Sequence, residues 1–244
     1  STPCPRLLQC GTQSVDLGPA FGRHVVMTSA SLSQTDEPAP IFPELRLSVS
    51  GLALSRGDTL LARDLSFELG PGEAVLLTGR NGTGKTSFLR ALAGFIEPDA
   101  GAISLNEAPP ALAAADTIAW LGHADGLKPG ETPRSALRFW ADLYGQPRTA
   151  IMPALRALEI DHLIDRPAAR LSRGQQRRCG LARIVLANRP LWLLDEPAGP
   201  LDAEGRACLA ALVATHRARG GLVIAATHQP LDWPEARSLD MGRL

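Results

Sequence analysis

A chain of 244 residues that is 45% hydrophobic can bury one large core or two small ones, and its 25 basic and 25 acidic residues leave no formal net charge. That balance argues against nonspecific nucleic-acid binding and against a polybasic membrane patch. Apolar runs such as 191–194 and 222–226 are strand-length, far short of the roughly twenty residues a membrane-spanning helix needs, so any membrane role is peripheral. Cys4, Cys10, Cys179 and Cys208 show no Cys-x2-Cys spacing, and two of them fall in expected helices. A metal site and a disulfide framework are both disfavoured, and a reducing cytoplasm fits.

Residues 1–43 carry Gly, Ser, Thr and Pro without hydrophobic periodicity and read as a disordered tail lacking the apolar core of a secretory signal. Met27 is a candidate natural start, and an intact mass retaining Ser1 to Val26 would exclude it. From Leu45 the alternation Leu45, Leu47, Val49 suggests a strand. A turn at Arg56-Gly57-Asp58 and a second alternation at Leu65, Phe67 and Leu69 complete a small antiparallel sheet. Residues 74–78, Ala-Val-Leu-Leu-Thr, then read as a buried strand of the kind found in parallel sheets.

The next eight residues, Gly79, Arg80, Asn81, Gly82, Thr83, Gly84, Lys85 and Thr86, match the phosphate-loop pattern Gly-x4-Gly-Lys-[Ser/Thr] in full. Glycines let the backbone curl its N–H groups toward phosphate oxygens, and the following helix adds the positive end of its dipole. Lys85 is placed to reach the β- and γ-phosphates, and Thr86 to ligate Mg²⁺. Phe88, Leu89 and Leu92 give that helix one apolar face, ending at Gly94.

A turn is expected at 98–101, then an apolar strand at 118–121 closed by Gly122-His123, which sets His123 at a strand end where ligands gather. From about 126 to 188 the spacing turns helical, with Leu137, Trp140, Ala141 and Tyr144, then Leu155, Leu158 and Leu163, as an inserted helical subdomain. Ser172 and Gln175 have capping-box spacing at the start of a helix on which Cys179, Ala182, Val185 and Leu186 share a face. A strand at 191–194 ends in Asp195-Glu196-Pro197. An amphipathic helix with Cys208, Leu209, Leu212 and Val213 inward follows, and a last strand at 222–226 delivers Thr227-His228 to the same sheet edge. An apolar strand followed by two acids suits a phosphate loop: Asp195 can hold the shell of a Mg²⁺ ion, while Glu196 accepts a proton from the attacking water.

In this order the motifs resemble those of the ATP-binding subunits of ABC transporters, over residues 44–244. Residues 79–86 correspond to Walker A, 171–175 to the signature, 191–196 to Walker B, 199–202 to the D-loop and His228 to the switch histidine. The resemblance implies an α/β fold: a RecA-like P-loop NTPase core with an antiparallel β-subdomain and an inserted helical subdomain. It also implies a homodimer with two ATP molecules at its interface, each between one Walker A and the partner's signature. Ser172, Gly174 and Gln175 would complete the γ-phosphate site in trans, and His228 would position the water near Glu196. His24, His162 and His216 carry no such role.

Within the superfamily the strings Leu121-Gly122-His123, Gln175-Gln176-Arg177-Arg178, Trp192-Leu193-Leu194-Asp195-Glu196-Pro197 and Thr227-His228-Gln229-Pro230-Leu231 are similar to the haem-exporter ATPase of cytochrome c biogenesis. The implied protein is an ATPase with ATP and Mg²⁺ as cofactors. Integral-membrane permease subunits and a second ATP-binding subunit would be its partners, with no nucleic acid, at the cytoplasmic face of the inner membrane. A permease loop would press on the segment at about 124–131. The alternatives are the ATPase of another ABC exporter, or a nucleotide-dependent binding module with little turnover.

Three departures from the general pattern stand out. Arg56, between Ser55 and Gly57, lies where most members carry an aromatic against adenine, a contact worth roughly 1–3 kcal/mol, so base affinity depends on whether its guanidinium stacks instead. His123 takes the place of the Q-loop glutamine. A histidine accepts a hydrogen bond only when neutral, so activity is expected to fall below about pH 6.5, and a flat profile from about pH 5.5 to 7.5 would count against this. Arg173 replaces the first glycine of the signature pair, adding a cation that could approach phosphate or an acid of a membrane subunit, or remain a solvated side chain at a helix start.

Overall fold

Strands in which every residue is apolar need cover on both faces, and the order of elements supplies it. The computed structural model describes residues 42–110 and 116–242. The tail expected at 1–43 lies outside these residues except for its last two, as do Met27, Cys4, Cys10 and His24. A five-stranded parallel sheet runs in the order β5 (Ile118–Leu121), β6 (Leu191–Asp195), β7 (Leu222–Ala226), β3 (Ala74–Thr78), β8 (Arg237–Asp240). All five residues of β6 and of β7 are buried.

Alternate side chains of these strands serve two cores. One face, with Trp192, Leu194, Val223 and Ala225, packs under helices α2 (Pro133–Tyr144), α3 (Ile151–Arg156), α4 (Arg173–Ala187) and α5 (Ala203–Ala218). The other, with Val75, Leu77, Leu193 and Ile224, packs against α1 (Lys85–Leu92) and the antiparallel sheet. Phe88 and Leu89 of α1 are fully buried there. At about 1.5–3 kcal/mol per buried large apolar side chain, they anchor the helix and with it the loop that precedes it.

The antiparallel sheet has the order β2 (Thr59–Leu69), β1 (Leu47–Arg56), β4 (Ala100–Leu105). Leu47 and Val49 point inward, but a bulge at Gly51 shifts the parity so that Leu52 and Leu54 are the next buried pair. The Gly51 amide donates to Ser66 Oγ at 2.8 Å across that bulge.

Strand β4 corrects the expected turn at 98–101: Ala100 and Gly101 already belong to the ladder with β1. Gly101 has φ +81°, and a Cβ there would lie 2.4 Å from the carbonyl oxygens of Ser50 and Gly51, so only glycine fits. The single apolar face expected for α4 is also corrected. Ten of its fifteen residues are buried, among them Arg177, Arg178 and Arg183, while Val185 is only half-buried. The reason is position: α4 is wedged between α2, α3 and β5. In α5 the inward set is Leu209, Val213 and His216, with Cys208 and Leu212 at its margin. Burial pushes the Cys179 thiol up to about 12, leaving it an inert core side chain. Among the described residues no helix is long and apolar enough to cross a membrane.

Candidate functional site: a phosphate loop facing two carboxylates

Because β3, β5, β6 and β7 are parallel, their C-terminal ends deliver residues 79, 122, 195 and 227 to one edge of the sheet. The loop after β3 turns through three glycines with positive φ, Gly79 at +131°, Gly82 at +89° and Gly84 at +95°. Gly84 is doubly constrained, since a Cβ there would lie 2.8 Å from Leu61 Cβ. It stands at the N-cap of α1 and places no side-chain hydrogen bond on the first turn, which leaves those amides to an anion. Lys85 is buried, and its Nζ donates to the carbonyls of Gly79 (2.8 Å) and Arg80 (3.1 Å), so the ammonium sits in the cup of the loop. Thr83 Oγ1 ties the loop's far side by donating to Arg80 O at 3.0 Å.

Thr86, one residue further, donates its hydroxyl to the carboxylate of Asp195, 2.9 Å from Oδ2 and 3.2 Å from Oδ1. Burial raises the Asp195 carboxyl, the Thr86 hydroxyl opposes that shift, and the neighbouring Glu196 charge adds to it. A hydroxyl and a carboxylate side by side are hard oxygen donors that suit Mg²⁺, which takes few protein ligands and completes its shell with phosphate and water. Among the described residues no group of three or more His, Cys, Asp or Glu could hold a metal by itself.

Glu196 follows in a left-handed conformation, φ +49°, with its amide donating to Ala226 O at 2.9 Å. Its Oε2 lies 2.9 Å from His228 Nδ1. The loop carrying His228 is fixed by Thr227, whose Oγ1 donates to Gln229 O at 2.8 Å and accepts from Gln229 N at 3.0 Å. Lys85, Thr86, Asp195, Glu196, His228, His123 and Arg56 all line one cavity of about 920 Å³, so the structure gathers these sequence-predicted residues in one place. Asn81, Gly82 and Gly84 line it too, as do Phe95, Trp120 and Arg183. Arg183 donates to Trp120 O at 3.0 Å and stacks over Trp140 at 4.6 Å.

Ser172, Gly174 and Gln175 are not among the residues lining that cavity. They open α4 with a closed capping box, Gln175 N donating to Ser172 Oγ (3.2 Å) and Ser172 N to Gln175 Oε1 (2.9 Å). A Cβ on Gly174 would lie 3.0 Å from Pro200 O, so the helix start packs against the 199–202 turn. Arg173 is exposed there. Asp202 caps α5 by accepting from Gly205 N at 2.8 Å and pairs with Arg178 at 2.9 Å, and both interactions hold its carboxyl below the usual range.

Arg177, noted in the sequence only as part of the string Gln175-Gln176-Arg177-Arg178 and given no role there, has a buried guanidinium that reaches the backbone of the Asp195–Pro197 turn. It lies in the polar run Gln175-Gln176-Arg177-Arg178 at the start of α4, and nothing in that run sets it apart from Arg178.

A family model described as ABC transporter matches residues 62–199. A cytochrome c biogenesis ATP-binding export protein CcmA of Maricaulis maris is 63% identical over 209 residues, 84% of this chain and 98% of the relative. The protein of the same name from Rhizobium meliloti is 41% identical over 202 residues, 81% of this chain and 98% of that one. Among solved structures, an ABC transporter ATP-binding protein of Pyrococcus furiosus superposes with a TM-score of 0.73 at 23% identity, over 81% of this chain and 98% of its own, a likeness of fold. CbiO1 of Clostridium perfringens, part of an ABC transporter complex, gives 0.65 at 25% identity over 75% and 78%. This chain belongs to the ABC transporter family and is an ATP-binding, ATP-hydrolysing transporter subunit.

Proposed function

We propose that the chain powers the export step of cytochrome c biogenesis, with haem or a haem-linked complex as the related cargo. The relatives' name supports this reading, and so do the local strings around His123, Arg177, Asp195 and His228. It works as an ATP-sandwich homodimer on the cytoplasmic face of the inner membrane, against integral-membrane permease subunits. Residues 44–244 are one cassette, with a helical subdomain at about 126–188. Identifying what co-purifies from the native membrane tests the export assignment: haem-pathway membrane subunits support it, and a different permease overturns it.

Within the site, the backbone of residues 79–84 and the Lys85 ammonium hold the triphosphate, and Thr86 and Asp195 would hold Mg²⁺, which would neutralise phosphate charge when bound. Glu196 accepts the proton of the attacking water. His228 orients the Glu196 carboxylate and faces the γ-phosphate, and His123 offers a ring nitrogen from the end of β5. The observation that carries this assignment is the convergence of Thr86–Asp195 and Glu196–His228 on the lip of one phosphate loop. Glu196→Gln keeps the shape and removes the base, so turnover should fall roughly 10²–10⁴-fold while ATP binding, measured by titration, is spared. An unchanged rate would favour the binding-module reading instead.

A further inference from the structure

Arg177 is 2% exposed, and a guanidinium buried that deeply is tolerated only when its five N–H groups find acceptors. Here five acceptors meet them. Nη1 donates to Gly122 O at 2.9 Å and to Asp125 Oδ1 at 2.8 Å. Nη2 donates to the carbonyls of Asp195 and Glu196, the latter at 2.9 Å, and Nε to Pro197 O at 3.3 Å. Three successive carbonyls of the turn after β6 therefore converge on one side chain. Its other bonds reach the segment that follows β5 and carries His123.

The middle residue of that turn is Glu196, in a left-handed conformation that a non-glycine residue keeps only when its surroundings over-determine it. In that conformation its carboxylate meets His228. The adjacent Arg178 points elsewhere, to Asp202 and Glu204, so the turn is held by Arg177 and not by basic residues of α4 in general.

We propose that Arg177 is a positioning residue for Glu196: it gathers the carbonyls of residues 195–197, holds the turn that aims the Glu196 carboxylate at His228, and ties that turn to the Gly122–Asp125 segment. The inference rests on the reading of Glu196 as the base. A lysine cannot substitute for the fork, because one ammonium has three donors on a single atom and cannot span acceptors contributed by two strand ends.

The test uses the purified full chain and steady-state MgATP hydrolysis, with thermal unfolding recorded on the same samples. Displacement of a catalytic group by about 1 Å costs roughly 10²-fold, so Arg177→Lys should lower kcat by that order with KM for ATP changed less than about threefold. Asp125→Asn, which leaves the guanidinium and its four carbonyl bonds in place, should lower kcat roughly tenfold in the same pattern. Combining Arg177→Lys with Glu196→Gln should cost no more than Glu196→Gln alone, because both act through one carboxylate. Losses that multiply in the double variant, a raised KM at unchanged kcat, or wild-type turnover in Arg177→Lys would overturn the proposal. If Arg177→Lys does not fold, Asp125→Asn decides, and an unchanged kcat there overturns it. Glu196→Gln measured alone separates this outcome from failure of the base assignment.

Discussion

His216 illustrates how a single buried side chain sets a pH limit on the fold without touching the site. It is 2% exposed and stacks on Trp192 with ring centroids 3.9 Å apart and planes 16° apart, while its Nε2 lies 3.1 Å from Pro190 O and Phe42 packs edge-on. A Cβ on Gly221 would fall within 2.2 Å of the ring, so the chain leaves room for the imidazole there. Burial pushes its pKa down from 6.5 to about 4. The folded state therefore binds fewer protons than the unfolded chain between those values, and stability rises with pH across that window. It is fully present above about pH 6.5 and is lost as pH falls toward 4, by about 3 kcal/mol at about 1.4 kcal/mol per pH unit. Replacing His216→Phe keeps an aromatic ring against Trp192 and removes the titration. Urea unfolding between pH 7 and 4 should then show a shallower acid loss than in the parent chain, and parallel curves would refute the linkage.

At the scale of elements, α4 carries two duties at its first turn, and they can be separated. Ser172 Oγ accepts from Gln175 N as the N-cap, and in the dimer reading the same hydroxyl meets a γ-phosphate. Ser172→Ala should cost about 1 kcal/mol of stability by loss of the cap, together with turnover. Ser172→Asp should return the stability, because aspartate caps equally well, yet leave turnover low, because a carboxylate repels phosphate. Chemical denaturation and an ATPase assay on both variants read the two effects, and recovered turnover in Ser172→Asp would assign the hydroxyl to capping alone. Elements also differ in how far the chain announces them. β3, β5, β6 and β7 each carry an apolar run of four or five residues, and the run's length and flanking turns identify them locally. β4 begins Ala100-Gly101-Ala102 and β8 reads Arg237-Ser238-Leu239-Asp240; neither has strand character of its own, and each exists because a formed strand, β1 or β3, offers it an edge. The same distinction holds in the site. Residues 79–86, 195–196 and 228 come together by spacing and strand order, whereas the acceptors of Arg177 lie in two stretches far from it in sequence, and no local pattern encodes them.

On the scale of the whole molecule, the helix start bearing Ser172 and Gly174 and the cavity bearing Lys85 and Glu196 belong to different parts of one chain. An N-terminus of a 15-residue helix favours an anion, and a triphosphate held by the phosphate loop would be one. In the proposed homodimer two copies facing head to tail would satisfy both demands at once, each lending its α4 to the other's nucleotide. Association would then depend on the triphosphate that bridges the copies and would end when hydrolysis breaks that bridge. Blocking the proton acceptor should trap the closed pair. Glu196→Gln with MgATP is expected to double in mass by sedimentation velocity and to return to the monomer when EDTA removes the ion. Lys85→Ala, which deletes the ammonium in the cup of the loop, should stay monomeric under the same conditions. The unmodified chain should pass through the dimer only transiently while ATP lasts. A Glu196→Gln protein that remains monomeric at saturating MgATP would remove the shared site, and a dimer equally strong without nucleotide would show that protein surfaces, not the triphosphate, hold the copies together.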